Sequence, residues 1–260
     1  MSEPNYAIYP TLLDAFTSWQ NSGEIWEKYW GRADNPPCTP DEFEQKQLRE
    51  LIDKINRVPQ PFSEAAERGS AFNAVVDAVV CDGAWPEGLV SITAGEDDDN
   101  TKVYDVKFGE HSYRYPAQLV NGLAERLCGA IAQQRVEGTI ATHRGLVRLY
   151  GYADYILPNR IVDLKTTGSY SFGKYASSWQ RFVYPYCIEQ QGGEVDGLEF
   201  LVVELKKPKK SGLLEGEVFR EFYNWRAEEH TRELQQCVAD FVDFVEAVRG
   251  EITDNRIFNK

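Results

Sequence analysis

The chain has 260 residues, of which 42% are hydrophobic, 13% aromatic and 27% charged, and its formal net charge is −13. This composition excludes a disordered chain, because large aromatic side chains supply the area a core needs. It also excludes binding of nucleic acid through the whole surface, which demands a basic footprint, although a locally basic groove on an acidic body stays open. Cys38, Cys81, Cys128, Cys187 and Cys237 form no CxxC or Cys/His cluster, which argues against zinc and iron–sulfur sites and suits reduced thiols. The first residues lack the basic and apolar parts of a signal peptide, and no stretch reaches membrane-spanning length. The expectation is a cytoplasmic protein.

In chain order, residues 9–30 carry Leu12, Leu13, Phe16, Trp19 and Trp26 at helical spacing, with Thr11 as the N-cap. Pro36, Pro37 and Pro40 interrupt the pattern, and a helix is predicted over residues 41–55. After Pro59 and Pro61 another begins at Ser63 and runs to about Val80, with Phe72, Val75, Val76 and Val79 on its apolar side. Gly69, Ser70 and Ala71 would let a neighbour approach its first half closely. Residues 82–112 read as an insertion holding a hairpin, with strand alternation over 103–108, and a helix is predicted over 116–134. Strands follow at 136–142 and 146–157, joined at His143-Arg144-Gly145, and a third at 161–165 after the Pro158-Asn159-Arg160 turn. A helix over 175–191, a strand over 197–205 and a long helix over 225–249 complete the pattern. The packed stripe of that last helix is Leu234, Val238, Phe241, Val242 and Val245.

The segment Gly151-Tyr152-Ala153-Asp154, followed by Ile161-Val162-Asp163-Leu164-Lys165-Thr166-Thr167, carries the chemistry. Strand residues two apart share a face, so Asp163 and Lys165 project together, with Asp154 on the neighbouring strand across a turn. Two carboxylates suit a hard, oxygen-preferring cation such as Mg²⁺ or Mn²⁺, and the ammonium could orient a water or offset charge on a phosphate. For the Asp-x-Lys tripeptide alone, a structural ion pair is the simpler account.

The wider pattern adds to this reading. Gly-x-x-Asp, a turn, Asp163-Leu164-Lys165-Thr166-Thr167 and then Gln180-x-x-x-Tyr184 resemble the RecB-like exonuclease branch of the PD-(D/E)XK nuclease superfamily. Residues 68–77, from Arg68 to Asp77, are similar to that branch's first helical motif, and residues 8–16 to its short N-terminal motif. The resemblance implies a restriction-endonuclease-like α/β fold, a mixed central sheet flanked by helices, in a single domain over 1–260. Within it the N-terminal helical part would span about 1–60, the insertion about 82–134, the catalytic core about 63–81 and 135–205, and the C-terminal helix about 224–250. It further implies metal-dependent hydrolysis of DNA phosphodiester bonds by a metal-activated water, as an exonuclease before an endonuclease or an inactive DNA-binding or assembly protein. Asp154 and Asp163 would be metal ligands and Lys165 the catalytic lysine, with Asp77 and Leu164 also in the metal shell. Gln180 and Tyr184, one helical turn apart, would orient Lys165 or the DNA backbone. Asn73 departs from the pattern, standing where many relatives carry His. The implied cofactor is Mg²⁺ or Mn²⁺ without an iron–sulfur cluster. The implied partners are linear DNA ends, and a further copy or a recombination protein, with no membrane.

Elsewhere, Lys206, Lys207, Lys209 and Lys210 form the one dense basic run, which would either grip phosphates or be a solvated loop. Lys174 lies in a polar connection beside the proposed site, with Ser169, Tyr170, Ser171 and Tyr175. Trp179, Phe182, Tyr184 and Tyr186 could stack on bases, but helical spacing assigns Phe182 and Tyr186 to the core. Glu137 is read as a surface carboxylate and His143 as a hairpin-turn residue.

Overall fold

The computed structural model describes residues 3–81, 86–97, 99–206 and 212–259. Strand β1 (Tyr6–Ile8) precedes helices α1 (Pro10–Gln20), α2 (Ser22–Trp30), α3 (Pro40–Ile55) and α4 (Glu64–Val80). Strands β2 (Leu89–Glu96), β3 (Lys102–Phe108) and β4 (His111–Pro116) and helix α5 (Ala117–Arg126) follow. Then come β5 (Ile131–Thr142), β6 (Gly145–Leu157), β7 (Arg160–Thr167), α6 (Gln180–Gln190), β8 (Gly197–Leu205), β9 (Gly216–Asn224) and α7 (Ala227–Ala247).

The main sheet runs β1-β6-β7-β8-β9, with β5 also on β6. Strands β5, β6 and β7 pair antiparallel, β7 and β8 run parallel, and β9 closes the far edge antiparallel to β8. This is the expected mixed sheet between helices. Alternation along β7 and β8 divides the interior into two cores. Ile161, Leu198, Phe200 and Val202 face α1, α6 and α7, while Val162, Leu164, Leu201 and Val203 face α4, α5 and the small sheet.

Several elements differ from the sequence reading. The helix expected over 116–134 stops at Arg126, and Gly129, at φ +80°, turns the chain so that β5 begins at Ile131. The expected hairpin is a three-stranded sheet, β2-β3-β4, which buries Val103, Val106, Tyr113 and Tyr115. The helical segments expected over 9–30 are two helices that meet at Asn21, but the strand before them, parallel to β6, had no counterpart in the reading. The helix expected over 175–191 begins only at Gln180, and β9 had no counterpart in the reading.

Helix α6 lies tightly on β6. A Cβ placed on Gly151 would stand 2.6 Å from Tyr184 Cε1, whereas one on Gly23 in α2 would meet nothing within 4 Å. We expect Gly151→Ala to cost about 1–3 kcal/mol of stability, as overpacking usually does. Urea unfolding should show a lower midpoint with an unchanged slope, while Gly23→Ala should leave the midpoint unchanged or raise it.

Candidate active site

Lys165 emerges from β7 where the strand leaves the core. Asp163, on the same face, is 1% exposed. Lys165 Nζ lies 2.7 Å from Asp163 Oδ2 and donates to Gln180 Oε1 at 2.7 Å. Gln180, the first residue of α6, returns its Nε2 to Asp163 Oδ1 at 2.7 Å and stands 3.3 Å from the Tyr184 hydroxyl. One amide thus binds both members of the ion pair. Burial works to lower the Lys165 pKa, but the Asp163 charge and hydrogen bond prevail and hold it raised, so the ammonium stays charged.

Asp154 sits where the alternation of β6 changes face. Val147, Leu149 and Ala153 pack in the α6-side core, but Tyr155 packs in the α4-side core. On the partner strand, Gln134 pairs with Ala153 and Ala132 with Tyr155, and Gln133 between them has φ +50°. The irregularity places Asp154 between the two cores, where its Oδ2 accepts from Leu164 N at 2.9 Å. Burial, and then the charge of Asp163, push the Asp154 carboxyl well above the usual carboxylate range, against the Leu164 amide and Lys165.

Helix α4 crosses β7 at Thr166, whose Oγ1 would be 2.2 Å from a Cβ on Gly69. Asn73 and Asp77 follow at intervals of four on the same face. Asn73 Nδ2 donates to Leu164 O at 3.3 Å, and its Oδ1 is buried without a partner. Asp77 accepts from the Tyr155 hydroxyl and, at 3.1 Å, from Gln133 Nε2, and burial raises its pKa despite both bonds.

Among the described residues, no three His, Cys, Asp or Glu side chains converge closely enough to enclose a metal. The donors at hand are nonetheless all oxygen: the buried Asp163 carboxylate, the half-buried Asp154 carboxyl that it repels, and the orphaned Asn73 Oδ1. Such a set fits a hard divalent cation.

Of the other candidates, Lys174 Nζ is held by Thr167 Oγ1 at 2.6 Å and Ser169 O at 2.7 Å, and with Lys165 it lines a cleft of about 340 Å³. Lys206 pairs with Glu217, while Lys207, Lys209 and Lys210 lie outside the described residues. Phe182, Tyr184 and Tyr186 are core residues. Glu137 pairs with Arg135 at the surface, and His143 with Asp243.

The sequence reading missed Asp14. Its α1 buries Leu12, Leu13 and Phe16, and Thr11, Asp14, Thr17 and Ser18 line the same cleft as Lys165 and Gln180. Asp14 Oδ1 accepts from Trp179 N at 2.7 Å. The i, i+3, i+6, i+7 spacing of these polar residues marks a polar face on α1, a signal for the face though not for the partner of Asp14.

An Asp-x-Lys strand, a second aspartate on the adjacent strand and a glutamine from the next helix meet at one point. The model of the PD-(D/E)XK nuclease superfamily matches residues 43–256, most of the chain. The chain belongs to the PD-(D/E)XK nuclease superfamily. Nucleases of this superfamily generally use divalent metals such as Mg²⁺ or Mn²⁺, and membership implies a nucleic-acid substrate. Among solved structures, the chain is similar to one titled "Crystal structure of SSO0001", with 12% identity, a TM-score of 0.35 and coverage of 92% of this chain and 77% of that one. A likeness that remote carries no argument about function. No curated protein matches the chain. Among the described residues no helix is long and apolar enough to cross a membrane.

Burial, against the Trp179 amide and Lys165, pushes Asp14 up to about 6 from an ordinary value of 3.8. A carboxyl raised in the folded state favours folding fully below its unfolded value, and that contribution is lost as pH rises through the folded value. Asp14→Asn removes this dependence. Calorimetry at pH steps between about 4 and 7 should therefore show the variant's Tm gaining on the wild type as pH rises.

Proposed function

We propose that this PD-(D/E)XK protein is a metal-dependent deoxyribonuclease of the RecB-like branch that hydrolyses phosphodiester bonds from DNA ends. The observation that carries this reading is the Gln180 amide, which holds Lys165 and Asp163 in one hydrogen-bonded unit beside Asp154. A structural ion pair alone would account for the amide but gives no reason for a second, half-buried carboxylate next to it.

Asp154, Asp163, the Leu164 carbonyl and Asp77 would hold Mg²⁺ or Mn²⁺, with Asp77 released from Tyr155 and Gln133. Bound there, the cation supplies Lewis acidity towards a phosphoryl oxygen and lowers the pKa of a coordinated water. Lys165, kept charged by Asp163, offers its ammonium to the negative charge that builds on the phosphate. Gln180 fixes the direction of that ammonium, and Tyr184 backs Gln180 from one turn further along α6. Lys174, together with Lys206, Lys207, Lys209 and Lys210, would take backbone phosphates. The preference for ends rests on the RecB-like motifs; the proposed setting is recombination or repair in a bacterial or phage cytoplasm, with a second copy or a recombination protein as partner.

The test is digestion of end-labelled linear DNA beside closed circular DNA, with Mg²⁺ and with Mn²⁺. We expect linear DNA to be degraded and circles spared, EDTA to stop the reaction, and Lys165→Ala to lower kcat by about 10²–10⁴-fold. Nicked circles would instead make the protein an endonuclease. Intact DNA under all conditions, from folded protein, would make it a non-catalytic DNA-binding member of the superfamily.

A further inference from the structure

Helix α6 begins abruptly. Its N-cap, Trp179, has helical dihedrals and contributes no side-chain cap. The first amide groups of a helix need acceptors from elsewhere. The acceptor for Trp179 N comes from α1, more than 160 residues earlier in the chain: Asp14 Oδ1, at 2.7 Å. Asp14 Oδ2 lies 3.5 Å from Ser178 Oγ, which is in turn 3.4 Å from Gln180 Oε1 and accepts from Gln180 N at 3.4 Å. Thr17, one turn after Asp14, receives Trp179 Nε1 on its Oγ1 at 3.3 Å. Asp14 and Thr17 therefore clamp the three residues that end in Gln180.

We propose that Asp14 is a positioning residue for Lys165. By accepting from Trp179 N and Ser178 it fixes the start of α6, and so fixes the Gln180 amide that binds Lys165 and Asp163 together. This rests on Lys165 as the catalytic lysine. The carboxylate also lies at the positive end of the α6 dipole, which favours it there. Burial makes its charge costly near neutrality, so stability alone gives no reason for an acid at this place. What the position needs is an acceptor oxygen, and an asparagine can supply one.

Three proteins decide the matter: wild type, Asp14→Ala and Asp14→Asn, each checked for folding by circular dichroism. The Gln180 side-chain amide is followed by ¹⁵N NMR, and DNA cleavage is measured alongside. Asp14→Ala should shift the Gln180 amide signals and speed their exchange with water. It should also lower kcat by about 10- to 100-fold with little change in KM, as expected for a displaced reacting group. Asp14→Asn should keep wild-type Gln180 signals and most of kcat. Unchanged Gln180 signals in Asp14→Ala, or an equal loss in Asp14→Asn, would overturn the proposal, the latter by showing that the charge and not the acceptor matters. If the wild type cleaves no DNA, the nuclease reading fails on its own, and the Gln180 signals still decide whether Asp14 sets the geometry.

Discussion

The site depends on one amide. Gln180 uses both ends of its side chain, accepting from the Lys165 ammonium and donating to the Asp163 carboxylate. A glutamate there would repel Asp163, and a lysine would repel Lys165; only a group with a donor and an acceptor on one planar unit serves both. The bridge matters because the pair it joins is buried. A buried ion pair recovers its desolvation cost only when further hydrogen bonds satisfy the remaining atoms. Helix α6 must therefore lie close to β7. The absence of a side chain at Gly151, directly under Tyr184, gives it room to do so.

Two buried carboxylate arrangements in the same sheet show what is unusual about this one. Glu199, on β8, is 1% exposed and is met by Arg220, Arg160 and Arg126. Despite burial, Arg220 above all and then Arg126 and Arg160 hold its carboxyl below the usual carboxylate range. That carboxylate is fully compensated, and its cluster is a structural clamp between β7, β8, β9 and α5. On the opposite face of the sheet, Asp163 takes the one nearby ammonium, Lys165, and Asp154, on the neighbouring strand, is pushed upward. The same fold thus compensates one buried acid three times over and leaves another pair short of positive charge. A deficit of that kind, among oxygen donors, is one that a hard cation would relieve if it bound there as proposed.

The clustering of Asp163, Lys165 and Gln180 in the candidate site was legible from sequence because its parts are local. The two-residue strand period puts Asp163 and Lys165 on one face, and the short turn at Pro158-Asn159 brings β6 back beside β7. Four-residue helical spacing likewise ties Gln180 to Tyr184. The parts that were missed depend on distant pairing. Strand β1 has three residues and forms against β6 across some 140 residues of chain. In β9 polar and aromatic residues mingle, without the apolar run that revealed β8, because one of its sides is largely exposed. Helix α5 was drawn too long because Ile131 and Ala132 continue an apolar pattern, and only Gly129 marks the stop. Asp14 escaped because its partner is a backbone amide in another helix, and no spacing rule connects residue 14 with residue 179.

The acidic net charge, which at first argues against a nucleic-acid substrate, loses force once its carboxylates are placed. Glu199 is consumed by three arginines. Glu221, 3% exposed, accepts from the Tyr170 and Tyr223 hydroxyls and from Gly173 N, and Glu204 accepts from Tyr170 N. These last two acids fasten the connection between β7 and α6 to β8 and β9. The fastened connection carries Lys174 and Tyr175 to the wall of the cleft that Lys165 and Asp14 also line. Carboxylates bound in this way stabilise the elements that present the lysines, while their neutral hydrogen bonds leave the negative charge in place, and that of Glu221 reaches Tyr175 at the cleft wall. Formal charge counts every acid equally, whereas a phosphate approaching the cleft meets chiefly the charges close to it, since salt screens the distant exposed ones. The sum of −13 belongs to the whole molecule, buried acids included, and the polarity at the cleft is set by the groups nearest it, Lys165 and Lys174 against Asp14 and the Asp163 that pairs with Lys165.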